Sequence, residues 1–335
     1  MKRFDFFLLV AVLLTVVAVE AVRSSVPPSN SHGQPAQEKI QSAQDVFDPK
    51  LIEKRLQENP ALKRRFQIFA FGASLARVVS MGCLMQWLAR FFTGRSENLG
   101  ARPRIPQWDF GEVARLVLAL LLVSYLVFLI EWLLIHLLRL KQPDNHLLAL
   151  GNTLLIDLAA FMGACKLFQV KGRPSYFHWE KLWRDLRFGI VSYLAFLPVF
   201  VLGTILVAAV MQFLKLDTTP QPVFTLFFSE NRTAVVGWLF FLVAVAGPVA
   251  EEFFFRGVLY GWLRTRIGVW KGLAVTALFF AVMHGNLMVF LPIFGLGLLF
   301  GWVYEKTGSL AVPIGIHVLH NGGMLMVASF FKSLA

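Results

Sequence analysis

Apolar runs long enough to cross a bilayer alternate along this chain with short polar and basic segments. Candidate spans lie at 66–92, 113–138, 147–168, 188–214, 235–262, 272–284, 287–304 and 310–331, preceded by a shorter apolar stretch at 6–19. About 20 consecutive apolar residues span the hydrocarbon as a helix, and most of these runs meet that length. The pattern predicts an all-α, polytopic integral membrane protein of about eight or nine transmembrane helices. Two runs are irregular. The 66–92 run carries Arg77 at its middle, which also suits an interfacial amphipathic helix. The 272–284 run is too short to cross alone, so it must be half-buried, extended beyond 287, or set against other helices beside a cavity.

Composition agrees with this pattern: 57% of the 335 residues are hydrophobic, 16% are charged and the mean hydropathy is +0.63. The expected location is the cell membrane, with several passes. A net charge of +12 raises the question of nucleic acid. No basic, aromatic-interleaved soluble module is present, however, and the bilayer accounts for the basic residues without a nucleic-acid partner. If the amino terminus is cytoplasmic, the loops on that side hold Arg90, Arg95, Arg102, Arg104 and Arg115, then Lys166 to Arg187, then Arg264, Arg266 and Lys271, then Lys306. The opposite loops after residue 65 hold only Arg139, Lys141, Lys215, Arg232 and Lys332, the asymmetry expected of the positive-inside rule. Cys83 and Cys165 both fall in apolar runs and imply neither a disulfide framework nor a cysteine zinc site.

Four regions follow: a signal anchor or signal peptide at 1–22, a polar extramembrane linker at 23–65, additional membrane helices at 66–185, and a core at 186–335. The poor small-residue site around Ala18 and Ala21 favours an uncleaved anchor. No internal repeat is evident, and the polar intramembrane positions concentrate in the last third.

Those positions carry the chemistry. An ionisable group near a membrane centre costs roughly 2.5 to 3.5 kcal/mol on insertion scales, so it faces a protein interior or a wet cavity. Glu251 and Glu252 are adjacent, with Arg256 four residues beyond the second. On a helix Glu252 and Arg256 share a face and can pair, whereas Glu251 points about 100° away and is free to act on a water. Phe280 and His284 are one turn apart near the end of the short run, and His317 and Asn321 one turn apart in the last. Packed together, these helices would surround one water or one metal. Two mechanisms fit the residue types. In the first, Glu251 and a histidine polarise a water that attacks a peptide carbonyl, while His317 and Asn321 donate to the oxyanion; no cofactor is required. In the second, His284, His317 and Glu251 bind zinc, which generates the hydroxide of a metalloprotease. The His-Glu-x-x-His helix of zincins is absent, and the metal-free version is favoured.

Glu-Glu-x-x-x-Arg, Phe-x-x-x-His and His-x-x-x-Asn, in this order within some 70 residues of apolar helix, resemble the CAAX prenyl protease and bacteriocin-processing family of intramembrane endopeptidases. All three motifs match, and the resemblance covers approximately residues 186–335. It implies an all-helical membrane fold in which Glu251 is the base, His284 orients the water, and His317 with Asn321 stabilises the oxyanion. Glu252, Arg256 and Phe280 would support them. The implied partners are the bilayer and a membrane-associated or prenylated-like peptide or protein substrate.

Simpler roles compete for some of these residues. Glu252 with Arg256 reads foremost as a structural ion pair, and His320 as a satisfied core histidine. Glu131 and Asp157, acids in the two preceding helices, could pair or line a polar path. Gly257/Gly261 and Gly297/Gly301 have the spacing of close helix packing. A transporter, or a non-catalytic scaffold, built on the same polar cluster is the alternative function; a transporter predicts polar groups spread over pseudo-symmetric halves.

Overall fold

A computed structural model of the chain describes residues 49–93, 108–137, 145–171, 179–216 and 221–334. The expected anchor at 1–22 and the linker as far as residue 48 lie outside them. Apart from a 3-10 turn at Trp179–Lys181, the described residues form ten helices: α1 (Pro49–Glu58), α2 (Pro60–Phe92), α3 (Phe110–Leu137), α4 (Asn145–Lys171), α5 (Leu182–Phe213), α6 (Pro222–Ser229), α7 (Thr233–Ile267), α8 (Val269–Met283), α9 (Leu287–Thr307) and α10 (Ala311–Lys332). Seven are long and apolar enough to cross a membrane, namely α2, α3, α4, α5, α7, α9 and α10, and α8 is the shorter apolar helix. The protein is an all-α, multi-pass membrane protein.

Local sequence sets several of the boundaries. Asn59 caps α2 by accepting from the Leu62 N–H, with Pro60 at the first helical position where its missing N–H costs nothing. Arg77 donates to Ser74 Oγ and the Ala73 carbonyl on its own helix, so its charge is held without interrupting the run. Asn286 caps α9 in the same way as Asn59 caps α2, through the Met288 N–H. Gly308 ends α9 at a φ of 66°, the left-handed conformation that a Cβ would oppose.

The bundle has an inside and a lipid-facing outside. In α7 and α9, 39% and 44% of the most apolar window is buried, against 6% in α2 and 11% in α3. The two central helices are therefore surrounded by protein, whereas the apolar faces of the outer ones are left for lipid. Helix α8, too short to span, packs along α9 and against α7, in keeping with the expectation that it would lie against neighbours. Around α7 and α9, Tyr193, Phe255, Phe280, Leu296, Phe300 and Ile316 form one buried cluster drawn from five helices.

Three of the four paired glycines pack as their spacing suggested. A Cβ at Gly257 would lie 2.6 Å from Phe168 of α4, and one at Gly301 2.6 Å from Leu273 of α8. At Gly297 it would meet the Ala277 backbone at 3.0 Å. These contacts seat α7 against α4 and α9 against α8, and so fix the helices that carry the polar residues.

Candidate active site

Helix α7 is not a regular α-helix through the polar residues. Two stretches, Leu242–Ala246 and Phe253–Tyr260, are π-helical, and they flank the short α segment Gly247–Glu252. In the first stretch the Gly247 N–H reaches five residues back to the Leu242 carbonyl. The Val243 carbonyl would by the same geometry take the N–H of residue 248, but Pro248 has none. The side chain of Asn321 supplies the missing donor from α10, its Nδ2 lying 2.8 Å from the Val243 oxygen. One amide hydrogen of Asn321 is thereby used, and the second, with Oδ1, remains for the cavity that Asn321 lines.

Glu252 and Arg256 pair as the four-residue spacing predicts, with Nη1 to Oε1 at 2.8 Å and both side chains fully buried. The guanidinium also donates to the Gly297 carbonyl at 3.0 Å and lies over the rings of Phe280 and Phe300, 4.7 and 5.3 Å from their centroids. An arginine in hydrocarbon is thus held by a carboxylate, a carbonyl and two aromatic faces. Glu252 has a further partner that the linear pattern did not reveal: His317 Nδ1 lies 2.9 Å from the same Oε1. The carboxylate accepts from Nδ1–H, which turns Nε2 of His317 toward Glu251, 3.8 Å from its Oε2. That Oε2 is itself buried, with no hydrogen-bond partner among the described residues. A separation of 3.8 Å is too long for a direct hydrogen bond but lets one water reach both atoms at about 2.8 Å.

His284 follows the last turn of α8. Its Nδ1 donates to the Phe280 carbonyl at 2.7 Å, satisfying one of the acceptors left over at a helix C-terminus and leaving Nε2 as the available nitrogen. The Phe280 ring, 2% exposed, stands edge-on to both His284 and His317. Glu251, His284, His317 and Asn321, from three helices, all line one cavity of about 970 Å³. Its remaining wall is largely apolar, with Phe200, Leu242, Pro292 and Leu296 among the residues exposed to it.

The structure adds Asp157 of α4 to this cavity. Asp157 and Glu251 both approach Gly247, whose missing Cβ would be 3.6 Å from Asp157 Oδ2 and 3.8 Å from Glu251 Oε1. The sequence signal was present, an acid in an otherwise apolar run, but nothing linear joins residue 157 to residue 251. Glu131 is satisfied elsewhere, by Asn152 at 2.6 Å. His320 faces the Tyr193 hydroxyl at 3.1 Å and packs edge-on against Phe200, as expected of a satisfied core histidine.

Among the described residues no three His, Cys, Asp or Glu side chains form a grouping able to hold a metal ion. The expectation of a metalloprotease, with His284, His317 and Glu251 as ligands, is therefore not supported, and no step below passes through a metal.

The resemblance noted from the motifs is matched by the comparisons. Residues 233–323 match the family described as type II CAAX prenyl endopeptidase Rce1-like, a segment that begins at the first residue of α7 and contains Glu251, Glu252, Arg256, Phe280, His284, His317 and Asn321. Among individual proteins, the membrane-embedded CAAX protease MroQ of Staphylococcus aureus is 40% identical over 89 residues, which are 24% of this chain and 36% of that protein. YdiL of Bacillus subtilis is 26% identical over 99 residues, 28% of this chain and 41% of its own length. YpbD of the same organism is 33% identical over 96 residues, 28% of this chain and 44% of its own length. The matched part thus spans less than half of each of these relatives. No solved structure matches.

Proposed function

We propose that the protein is an intramembrane endopeptidase in which Glu251 activates a water for attack on a peptide carbonyl. The observation that supports this most is the convergence of Glu251, His284, His317 and Asn321 on one largely apolar cavity, with the buried Glu251 Oε2 directed toward His317. Glu251 takes a proton from the water as the water oxygen bonds to the carbonyl carbon. It returns that proton to the amide nitrogen as the carbon–nitrogen bond breaks. His284, its Nδ1 fixed on a carbonyl, accepts from the water through Nε2 and orients it. Asn321 donates its second amide hydrogen to the oxyanion. His317 can donate to the oxyanion only with a proton on Nε2, since Nδ1–H is given to Glu252. Glu252 and Arg256 are positioning residues, and Phe280 separates them from the cavity.

The substrate is proposed to be a membrane-associated protein or peptide presented from the bilayer. The apolar wall suits a hydrophobic segment or a lipid-modified terminus, in line with the CAAX specificity in the name of the S. aureus relative. The test is Glu251→Gln, which keeps size and hydrogen-bonding capacity but removes the base. Membranes from cells carrying wild type or the variant are compared by mass spectrometry of protein termini, and the variant is used to trap bound substrate. Termini that appear with wild type and vanish with Glu251→Gln support the reading. Identical termini, with both proteins inserted to the same level, refute it.

A further inference from the structure

The catalytic cavity is closed at one end and open at the other, and the positions that line it show which end is which. On α7 the lining residues run from Leu242 to Glu251 and stop there; on α9 they run from Val289 to Phe300, and on α10 from His317 to Leu325. Helix α8 contributes Phe280 and His284, and α5 contributes Phe200 and Thr204. On each of these helices the lining starts at the level of the catalytic residues and proceeds only toward the end of the bundle formed by α6, the α8–α9 turn and Lys332. Along α9 and α10 it extends through eleven and eight residues, roughly 16 and 12 Å at 1.5 Å each.

Toward the other end the helices are sealed. Tyr260, Leu273, Tyr304, Thr307, Leu310 and Val312 lie beyond the catalytic level there, each at most 3% exposed. Glu305 ties α7 to α9 at the same end, accepting from the Tyr260 hydroxyl at 2.8 Å and from Arg264 at 2.7 and 2.8 Å. Glu252 is fully buried, whereas the side chain of Glu251 next to it is 32% exposed. At the open end Met324 is 40% exposed, and Thr204, Gln221, Thr225 and Ser229 give the cavity polar side chains. Helix α6 forms its rim, held in place by Lys332, whose Nζ donates to the Phe227 and Glu230 carbonyls. Hydrolysis consumes one water per bond cut, and this polar end is the one through which water can arrive.

Charge assigns the two ends to the two faces of the membrane. The sealed end carries Lys171, Arg173, Lys181, Arg184 and Arg187, then Arg264, Arg266 and Lys271, then Lys306; the segments at the open end between α5 and α7 and after α10 carry Lys215, Arg232 and Lys332. The positive-inside rule makes the sealed end cytoplasmic. We propose that the cavity takes its substrate from the membrane face opposite the basic loops, so that the bond cut belongs to a segment lying in the outer leaflet or its aqueous margin. The direction of access stands on the cavity alone; the statement about the bond cut rests on the peptidase reading. A chain whose lipid-modified end stays in the cytoplasmic leaflet meets only the sealed end.

Cysteine labelling tests the direction without calling on activity. Cys83 and Cys165 are replaced by alanine in the full chain. In that background Met324→Cys and Thr225→Cys report on the open end and Lys271→Cys on the basic-loop end, and none of the three positions belongs to the catalytic machinery. A membrane-impermeant maleimide is applied to spheroplasts and to inverted vesicles, with the total thiol of each variant measured after denaturation. Spheroplasts should label Met324→Cys and Thr225→Cys and leave Lys271→Cys unlabelled, and inverted vesicles should reverse the pattern. Labelling of either open-end thiol from the same face as Lys271→Cys overturns the proposal. So does failure of both to label from either face while the denatured chains react, and labelling of Lys271→Cys in spheroplasts overturns the assignment of the outer face. Substrates trapped by Glu251→Gln should then be cut in segments on the outer face; cuts in cytoplasmic segments overturn the statement about the bond. Open-end labelling from the outer face with no termini lost in Glu251→Gln sinks the peptidase reading, and the statement about the bond with it, while the direction of access stands.

Discussion

Replacing Asn321 by alanine should have two separable effects, and Pro248 provides the means to separate them. The Val243 carbonyl lacks a backbone donor because the chain is π-helical at Leu242–Ala246 and residue 248 is proline. The Asn321 amide fills that vacancy at 2.8 Å. Loss of a donor to a buried carbonyl costs about 1 to 3 kcal/mol in soluble proteins. Interhelical side-chain hydrogen bonds in membranes average about 0.6 and reach about 1.7 kcal/mol. The membrane range applies here, so Asn321→Ala is expected to destabilise by about 1 kcal/mol. Pro248→Ala restores an N–H where the Val243 carbonyl needs one. In that background the cost of Asn321→Ala should fall close to zero, giving a coupling of about 1 kcal/mol in a double-mutant cycle. Unfolding of the purified protein in mixed micelles measures all four corners. Under the proposed function, peptidase activity should instead drop about 10² to 10³-fold with Asn321→Ala in both backgrounds, because the second amide hydrogen is the one proposed to serve the oxyanion. An equal stability cost with and without Pro248 would refute the account of the π-helix and its side-chain donor.

Three further outcomes follow from the same geometry. Arg256→Leu leaves the fully buried Glu252 with only the His317 hydrogen bond, and loss of one partner of a buried pair costs about 3 to 5 kcal/mol; thermal unfolding should show a large loss that Glu252→Gln/Arg256→Leu partly recovers. Gly301→Leu forces a side chain into Leu273, where even a Cβ would be 2.6 Å away, and should destabilise by about 1 to 3 kcal/mol, whereas Gly203→Leu, with open space around it, should change stability by less than about 0.5 kcal/mol. Asp157→Asn removes the second carboxylate facing Gly247; the expected result is a change in cleavage rate and its pH profile with unchanged thermal stability, read on a substrate recovered by the Glu251→Gln trap.

Much of this fold was legible in the sequence because hydrocarbon solvent imposes length and polarity limits that one-dimensional patterns record. The eight candidate runs after residue 65 reappear in order as α2 to α5 and α7 to α10. The bond from Glu252 to Arg256 was legible too, since a local period determines it. Contacts whose partners are far apart in the chain were not. His317 reaches back 65 residues to Glu252, and Asn321 reaches back 78 to Val243. No periodicity encodes either. The π-helical stretches escaped detection because nothing in propensity distinguishes Leu-Val-Ala-Val-Ala from ordinary helix; Pro248 was the trace of the irregularity. The zinc set illustrates the converse: residue types compatible with a ligand sphere form no metal-holding group among the described residues.

The family match covers residues 233–323, yet that stretch depends on the helices before it. Phe168 fills the notch at Gly257, Asp157 faces Gly247, and Tyr193 bonds His320, all from α4 and α5. Excised alone, the matched stretch would offer those notches to acyl chains and leave Tyr193's hydrogen-bond partner unanswered. What descends as a recognisable string is thus smaller than what folds, and a minimal piece that keeps these contacts must begin no later than Asn145.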